Sequence, residues 1–216
     1  MSFCQDRDLL CIEPIVYLSG GAGGQSLAAG ADGAIAGTTF TSAGSDFVSA
    51  GVQAGMVLCT YDTIPAEGRA WEILAVDSAT TLSISVLRAE VDGPAVAPPA
   101  GTGLSFHVRS FGPQMRGVSA TLAEKLRQIA EVAGVASADF ADSAQLRATT
   151  AHGALAGIFL ARADNARPHD ANWIKAEFHR AEFLRLQDQL RLAVDLDGDG
   201  VAEQTRTLGN VYLKRV

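Results

Sequence analysis

The spacing of apolar residues changes once along this chain of 216 residues, close to Pro113. Between residues 37 and 113 the chain consists of short runs in which apolar and polar residues alternate, as where Leu82 and Ile84 alternate with serines. Alternation with a period of two predicts strands, whereas after Pro113 the apolar residues recur every three or four positions, which predicts helices. We therefore expect a strand-rich part followed by a helix-rich part.

Five short runs in the strand-rich part are bounded by glycine, Asp-Ser or proline clusters. They occupy 37–42, 55–61, 70–78, 81–87 and 103–111. Runs of this length and spacing, rich in β-branched and aromatic residues, predict a small β-barrel or sandwich. Gly51 and Gly55 lie in a predicted bend between the first two strands, and the prolines of 92–103 predict a loop before the last strand.

Two of the three predicted helices follow Pro113 directly. The first begins at Ser119 or Thr121, either of which can cap it, and ends at Gly134. The second covers 137–164 and carries small residues that allow close helix packing. These residues are Ala148, Ala151, Ala154 and Gly157.

The third predicted helix begins at Pro168 and Asp170 and carries two apolar stripes. One stripe consists of Ala176, Phe183, Leu186 and Leu190, and the other consists of Ile174, Phe178 and Ala181. A helix with two apolar stripes must be covered on two sides. We therefore expect Trp173–Leu190 to pack on its own domain with one face and on a neighbouring subunit with the other.

The predicted organisation has three parts. Residues 1–36 are glycine-rich in their second half, lack an apolar period and lack the Gly-Lys-Ser/Thr ending of a P-loop, so they predict an N-terminal arm. A small β-barrel over 37–113 and a helical region with a C-terminal hairpin over 114–216 follow. The fold class is α+β with segregated parts: a small β-barrel before a helical region that ends in a β-hairpin.

Charge and composition exclude several classes of protein. The formal net charge is −7 and the pI is about 5.0, which argues against a reader of duplex DNA. No run of 18 apolar residues predicts a membrane span, and the N-terminus does not resemble a signal peptide, so we expect folding in a reducing cytoplasm. The three cysteines, Cys4, Cys11 and Cys59, form no zinc-binding pattern.

The residue types that carry catalysis show no recognisable arrangement. His107, His152, His169 and His179 lack metal-ligand spacing, and Glu182, three residues after His179, indicates an exposed helix pair. The carboxylates of Glu13, Glu72 and Glu177 have no evident partners in the sequence. With no nucleophile elbow and no Cys-His pair, the sequence predicts a protein that is not an enzyme.

An acidic segment near the C-terminus resembles half of a calcium loop. Asp195, Asp197 and Asp199 alternate and are followed by Gly200, but Arg206 occupies the position where an EF-hand needs a bidentate glutamate. Asp-Gly between two β-compatible runs also indicates a hairpin turn. The sequence leaves three interpretations open: a plain acidic hairpin, which the pattern favours, a hairpin with an ordered calcium ion, and a true EF-hand.

Two stretches resemble neck proteins of tailed bacteriophages. In the first, Gly51, Val52 and Gly55 precede a turn at 76–82 (Val-Asp-Ser-x-Thr-x-Leu), as in small β-barrels inserted in phage neck and tail proteins. The second is similar to the end of head–tail connector (adaptor) proteins. There a helix with Lys175, Ala176 and Arg180 runs into the acidic hairpin, Asp195 to Gly200, and a basic tail, Lys214 and Arg215. The resemblance covers about half the chain.

This resemblance implies a structural role in the virion, made in the cytoplasm of the host bacterium. It implies a ring of identical subunits, dodecameric in this family, that docks between the portal protein and a further neck or tail protein, without membrane or sequence-specific nucleic acid. The expected interface residues are Trp173, Ile174, Phe178, Lys214 and Arg215. No cofactor is implied, with calcium at Asp195, Asp197 and Asp199 as an option. The alternative is a calcium-dependent binding module with a ligand face on the β-barrel.

Overall fold

The computed structural model describes residues 2–18, 24–61, 68–133, 137–140, 143–164, 170–195 and 204–208. The chain divides into two compact units. Gln5–Gly112 form the first, which we call the barrel unit, and Met1–Cys4 with Pro113–Val216 form the second, which we call the helical unit. The fold is mixed α+β.

The barrel unit contains two short helices and six strands. The helices are α1 (Asp6–Ile12) and α2 (Ile15–Leu18). The strands are β1 (Gln25–Ala36), β2 (Thr39–Thr41), β3 (Val57–Tyr61), β4 (Gly68–Ser78), β5 (Thr81–Ser85) and β6 (Gly101–Ser110). They close into an antiparallel barrel in the order β1-β2-β5-β4-β3-β6, with β6 pairing back to β1.

Five of the six strands, β2 to β6, coincide with the five alternating runs in the sequence. Their inward-facing residues fill the barrel with a core of aliphatic and aromatic side chains. The fully buried members are Phe40, Phe47, Leu58, Ile73, Leu82, Ile84 and Val108. Phe106 packs edge-on against Phe40 with 4.9 Å between the ring centroids. The predicted β-barrel is therefore present, and the period-two pattern identified the strands that supply its core.

The predicted arm over residues 1–36 is wrong, because Gln25–Ala36 are a strand of the barrel. β1 pairs with β2 through Ile35↔Phe40 and with β6 through Ala29↔His107. Most of its residues are exposed or half-buried, so the strand shows no apolar alternation. β1 contributes to the barrel mainly through backbone hydrogen bonds and less through buried side chains. Because sequence patterns detect strands from the spacing of apolar residues, they do not detect a strand of this kind.

Two glycines in β1 are required by the aromatic core. A Cβ atom at Gly30 would lie 2.7 Å from Cε1 of Phe106, and one at Gly33 would lie 2.8 Å from Cε2 of Phe40. The pairing of β1 with β6 also shifts register on both sides of Gly33. Glycine within a strand commonly marks such a close approach.

The bend predicted at Gly51 and Gly55 is present, with positive φ values of 74° and 84°. Only glycine adopts this backbone region without strain. The carbonyl oxygen of Gly55 accepts a hydrogen bond of 3.0 Å from the backbone N–H of Arg7, so the bend also anchors α1.

A buried ion network fixes α1 on the outside of the barrel. Nε of Arg7 lies 2.8 Å from Oε1 of Glu72, at an angle unsuited to a hydrogen bond. The Arg88 guanidinium donates to both oxygens of Glu72 and, at 2.7 Å, to the carbonyl of Gly93. Glu72 is only 2% exposed. It has two cationic partners that the sequence did not reveal, since they are 65 and 16 residues away along the chain.

The carboxylate of Asp6 makes a second buried connection in the barrel unit. It accepts hydrogen bonds from the hydroxyls of Tyr17 and Ser110 and from the backbone N–H of Phe111, at 2.7–2.8 Å. Burial raises the pKa of Asp6, and these three hydrogen bonds oppose that rise. The side chain ties α1 to α2 and to the end of β6.

The helical unit contains three helices and a three-stranded sheet. The helices are α3 (Gly112–Ala133), α4 (Ser143–Arg162) and α5 (Ala171–Gln189). The strands are β7 (Ser137–Phe140), β8 (Arg191–Asp195) and β9 (Gln204–Thr207), and they form an antiparallel sheet in the order β7-β8-β9. Residues 196–203, where the sequence predicts the turn of a hairpin, lie outside the described residues.

Two predicted helix boundaries are corrected. α3 begins at Gly112, not at Ser119 or Thr121, with Pro113 in its first turn, where the missing N–H of proline costs nothing. Ser119 is buried and accepts a hydrogen bond from the backbone of Phe3, so it is not a cap. The second predicted helix includes Ser137–Phe140, which instead form β7, paired with β8.

The core of the helical unit joins the helices to the sheet. Its buried members are Leu122, Leu146, Leu190, Leu192, Val194 and Leu208. Gly153 of α4 allows close packing against α3 and α5. A Cβ atom there would lie 2.8 Å from Val118 of α3 and 2.9 Å from Phe183 of α5. In the predicted small-residue surface Ala151 and Ala154 are buried, whereas Gly157 is exposed.

Among the described helices, none combines the length and the apolarity needed to cross a membrane.

We expect Glu72→Gln to destabilise the barrel unit by about 3 kcal/mol, because it leaves two guanidinium groups without their buried anion. Urea unfolding followed by circular dichroism measures the change. The matched control is Glu124→Gln, which removes one negative charge from an exposed pair with Arg127 and should change stability little. Equal stabilities for the two variants would show that the buried network contributes no more than a surface pair.

Candidate functional site

The most exposed apolar surface of the described helices lies on α5. We call it the α5 outer face, and it consists of Trp173, Ile174, Phe178 and Leu184, with exposed fractions of 45%, 55%, 57% and 49%. At 3.6 residues per turn these four positions fall within an arc of about 140°. They therefore share one side of the helix, where the exposed Ala181 and the charged Glu177 and Arg185 also lie.

The opposite side of α5 packs inside its own unit. Ala176 and Gln187 are buried there, and Phe183 is half-buried against the core of the helical unit. The two stripes predicted from the sequence thus have different surroundings: one faces the unit's interior and the other faces outward. Ala181, the third member of the second stripe, is exposed as well.

Local interactions set the start of α5 and hence the position of its outer face. The side chain of Asp170 accepts hydrogen bonds from the backbone N–H groups of Asn172 and Trp173, at 2.8 and 3.0 Å. This is the N-cap expected of aspartate before a helix. Two charged pairs lie on the same helix, Glu177–Arg180 at 3.8 Å and Glu182–Arg185 at 2.7 Å, and one member of each falls within the arc of the four apolar side chains.

Two histidines meet between α4 and α5, beneath the α5 outer face. Nδ1 of His152 lies 3.0 Å from Nδ1 of His179. The ring of His179 stacks on Phe159, with 5.6 Å between centroids and a 4° angle between planes, and contacts the edge of Phe178. His179 is only 1% exposed, although the sequence predicts an exposed pair with Glu182. The predicted exposure is wrong, because His179 is buried, and Glu182 forms an exposed ion pair with Arg185.

Protonation of His152 is disfavoured in the folded chain, because burial lowers its pKa. In a hydrogen bond between two Nδ1 atoms one donates and the other accepts, so a proton on both would break the bond. Burial lowers the pKa of His152, while the charge of Glu182 raises it and that of Arg185 lowers it. Lys175 is the nearby cation on α5, with Nζ 5.1 Å from the ring centre of Phe159. His152 and His179 are 27 residues apart, which no local spacing rule detects.

The predicted calcium ligands are only partly within the described residues. Asp195 is buried at the end of β8, opposite Ser137 of β7, with 6% of its surface exposed. Asp197 and Asp199 lie outside the described residues, as do Lys214 and Arg215 of the predicted interface. In the part of the chain that the structure describes, no cluster of three His, Cys, Asp or Glu residues has the arrangement of a metal site.

Cys59 and His107 of the barrel unit lie close to the same backbone carbonyl oxygen. Burial raises the pKa of the Cys59 thiol to about 12, so the thiol stays protonated near neutral pH. Its Sγ donates toward the carbonyl of Tyr17 at 3.5 Å, and Nε2 of His107 lies 3.4 Å from the same oxygen. Cys4 is buried and Cys11 is exposed, and no disulfide joins any of the three cysteines.

Comparison of this chain with protein-family models, with curated proteins and with solved structures finds no match.

We expect the stability of the helical unit to fall as the pH drops below about 6.5, the ordinary pKa of histidine. A lowered pKa in the folded state means that the unfolded chain binds the proton more readily, so stability is present at higher pH and lost on acidification. The loss between pH 7.5 and 5.5 should stay under about 1 kcal/mol, because solvent screens the half-exposed His152.

Urea unfolding of wild type and His152→Gln at the two pH values measures this effect. The variant keeps a polar partner for His179 but cannot be protonated, so its stability should depend less on pH. The control is His107→Gln, which removes a histidine from the barrel unit and leaves the pair in the helical unit in place. The same pH dependence in wild type and His152→Gln would contradict the assignment.

Proposed function

We propose that this protein is a structural component of a tailed-bacteriophage neck, a ring-forming head–tail connector or adaptor that docks between portal and tail. The observation that carries the proposal is the α5 outer face, where four large apolar side chains are exposed. Contiguous exposed apolar surface on a folded protein typically marks a site of protein–protein contact. The proposed activity is assembly, and the proposed location is the virion.

The energetics of the α5 outer face favour contact with another subunit. Full burial of a fully exposed side chain such as Phe178 or Ile174 contributes about 1.5–3 kcal/mol. The four side chains are already about half buried, so each gains about half of that, and together they can still support an interface. The charged pairs Glu177–Arg180 and Glu182–Arg185 supply both signs of charge to the same helix, and protein interfaces commonly combine apolar and polar contacts.

A closed ring is the proposed form of the assembly. Contact between two different surfaces of identical subunits closes into a ring when the rotation permits. The resemblance to phage connector proteins supports this form and suggests the partners, which are copies of this chain, a portal protein and a further neck or tail protein. In such an assembly Lys214 and Arg215 of one subunit would compensate the charges of Asp197 and Asp199 of the next.

We expect Ile174→Asp and Phe178→Asp to weaken self-association at least tenfold, because each places a charge in the buried centre of the interface. Their fold should persist, since both side chains are more than half exposed in the single chain. Native mass spectrometry and analytical ultracentrifugation measure the assembly, and circular dichroism measures the fold.

The matched control is Val48→Asp, which introduces the same charge at an apolar residue that is 61% exposed in the barrel unit. This variant should assemble like wild type. If Phe178→Asp lost its helical structure before its partners, the face would belong to the internal core. A wild-type protein that stays monomeric at high concentration would contradict the ring.

A second candidate function is a calcium-dependent binding module with its ligand face on the barrel. The alternation of Asp195, Asp197 and Asp199 before Gly200 favours it. Arg206 replaces the bidentate glutamate of an EF-hand, so we expect calcium to bind weakly, with a Kd of about 1 mM or higher.

Calorimetry with calcium on wild type and on the double variant Asp197→Asn, Asp199→Asn distinguishes the two candidates. On the assembly proposal the variant should be at least as stable as wild type as a single chain, because repulsion between carboxylates is relieved, and weaker in assembly. Micromolar calcium binding by the single chain, lost in the variant, would instead support the binding module.

A further inference from the structure

A cavity of about 210 Å³ lies at one end of the barrel. Its wall consists of Ile35, Leu104, Trp71, Thr60 and Arg69, together with residues 99–102. At about 30 Å³ for one water in the liquid, this volume corresponds to about seven waters. The cavity therefore has room for a ligand the size of a single ring, which is smaller than most drug-sized ligands.

Strand order places these residues at the same end of the barrel. β1 and β3 end there, and β4 and β6 begin there, as the pairings Ile35↔Gly101 and Thr60↔Arg69 show. Side chains of a strand alternate between the two faces of a sheet, so Arg69 points to the same side of β4 as Trp71 of the interior core. The cavity is thus the unfilled end of the barrel interior.

The inner part of the cavity carries one oriented hydroxyl. The indole N–H of Trp71 donates to Oγ1 of Thr60 at 2.8 Å, and both residues are buried, with exposed fractions of 7% and 4%. Because this oxygen already accepts from the indole, its own hydrogen can be donated to an acceptor in the cavity. A ligand that offers an oxygen acceptor at this depth would complete the hydrogen bonding.

The outer part of the cavity carries a cation. Arg69 is exposed, and within the described residues it forms no ion pair with a carboxylate. Arg7 and Arg88 of the same unit, by contrast, both form ion pairs with Glu72. A guanidinium presents a planar set of donors that matches a carboxylate through two parallel hydrogen bonds.

We propose that the cavity at this end of the barrel binds a small organic carboxylate with an apolar, ring-sized body. The body occupies the space between Ile35, Leu104 and Trp71, and the carboxylate lies between Arg69 and Thr60. A monoanion fits better than a phosphate dianion, because Arg69 is the one cation among the described residues of the cavity wall. The site consists of barrel-unit residues and shares none with the α5 outer face, so the proposal does not depend on the ring.

Fluorescence of Trp71 reports occupancy of the cavity directly. The chain has two tryptophans, and Trp173→Phe removes the other one without touching the barrel unit. In this background we expect benzoate, used as the probe, to change the emission of Trp71 saturably with a Kd of about 1 mM, as befits so small a ligand. Benzamide has the same shape without the charge and should bind more weakly.

Arg69→Gln in the same background should weaken benzoate binding about fivefold, because the charged hydrogen bonds to the carboxylate are lost. Arg69→Lys keeps the charge but not the planar donor set, so its affinity should lie between the two. Arg116→Gln is the matched control, since it removes the same charge from an exposed position on α3 and should leave the affinity unchanged. Circular dichroism of each variant checks that the barrel is intact.

Three results would overturn the proposal. The first is the lack of a saturable change in Trp71 emission with benzoate up to about 50 mM, far above the expected Kd. The second is equal binding of benzamide and benzoate, which would show that the cavity does not recognise the carboxylate. The third is an affinity that Arg69→Gln and Arg69→Lys leave unchanged while both variants remain folded, which would place the benzoate elsewhere.

Discussion

Closure of the barrel depends on hydrogen bonding along both edges of β1. One edge pairs with β2 and the other with β6, so neither neighbour is left with an open edge. The same closure brings the backbone of β1 against the rings of Phe40 and Phe106, and Gly33 and Gly30 lie at these contacts because a Cβ atom would collide with the rings. A strand whose residues are mostly exposed or half-buried therefore limits the space available to the aromatic core.

The outside of the closed barrel is covered where Glu72 lies. This residue alternates along β4 with the inward-facing Trp71 and Ile73, so it points outward, yet α1 and the segment after β5 bury it. A buried carboxylate is stable only with compensating partners, and Arg7 and Arg88 supply them. On the inner face of the same strand, Arg69 lies at the cavity at the end of the barrel. β4 thus carries a buried carboxylate with two cationic partners on one face and an exposed cation on the other.

α5 gives the helical unit two different surfaces. Its inner side packs through Ala176 and Phe183, while Ile174 and Phe178 remain exposed on the opposite side. The histidine pair lies next to this exposed side, since the ring of His179 packs against Phe178 and its Nδ1 lies 3.0 Å from Nδ1 of His152. The ring and its phage partners remain proposals that rest on this face and on the resemblance.

Residues that repeat at regular spacing were predictable from the sequence, and residues that act across long separations were not. The alternation in β2 to β6 and the cap at Asp170 are local patterns, and both correspond to elements of the structure. The two stripes of α5 were also visible, because helical spacing assigns each residue to a face. By contrast, β1 and β7 were missed, since backbone pairing with a distant strand leaves no mark on apolar spacing. Only the tertiary structure brought Arg7 and Arg88 to Glu72, His152 to His179, and Arg69 to the cavity beside Ile35 and Leu104, because those neighbours are selected by the folded chain and not by distance along it.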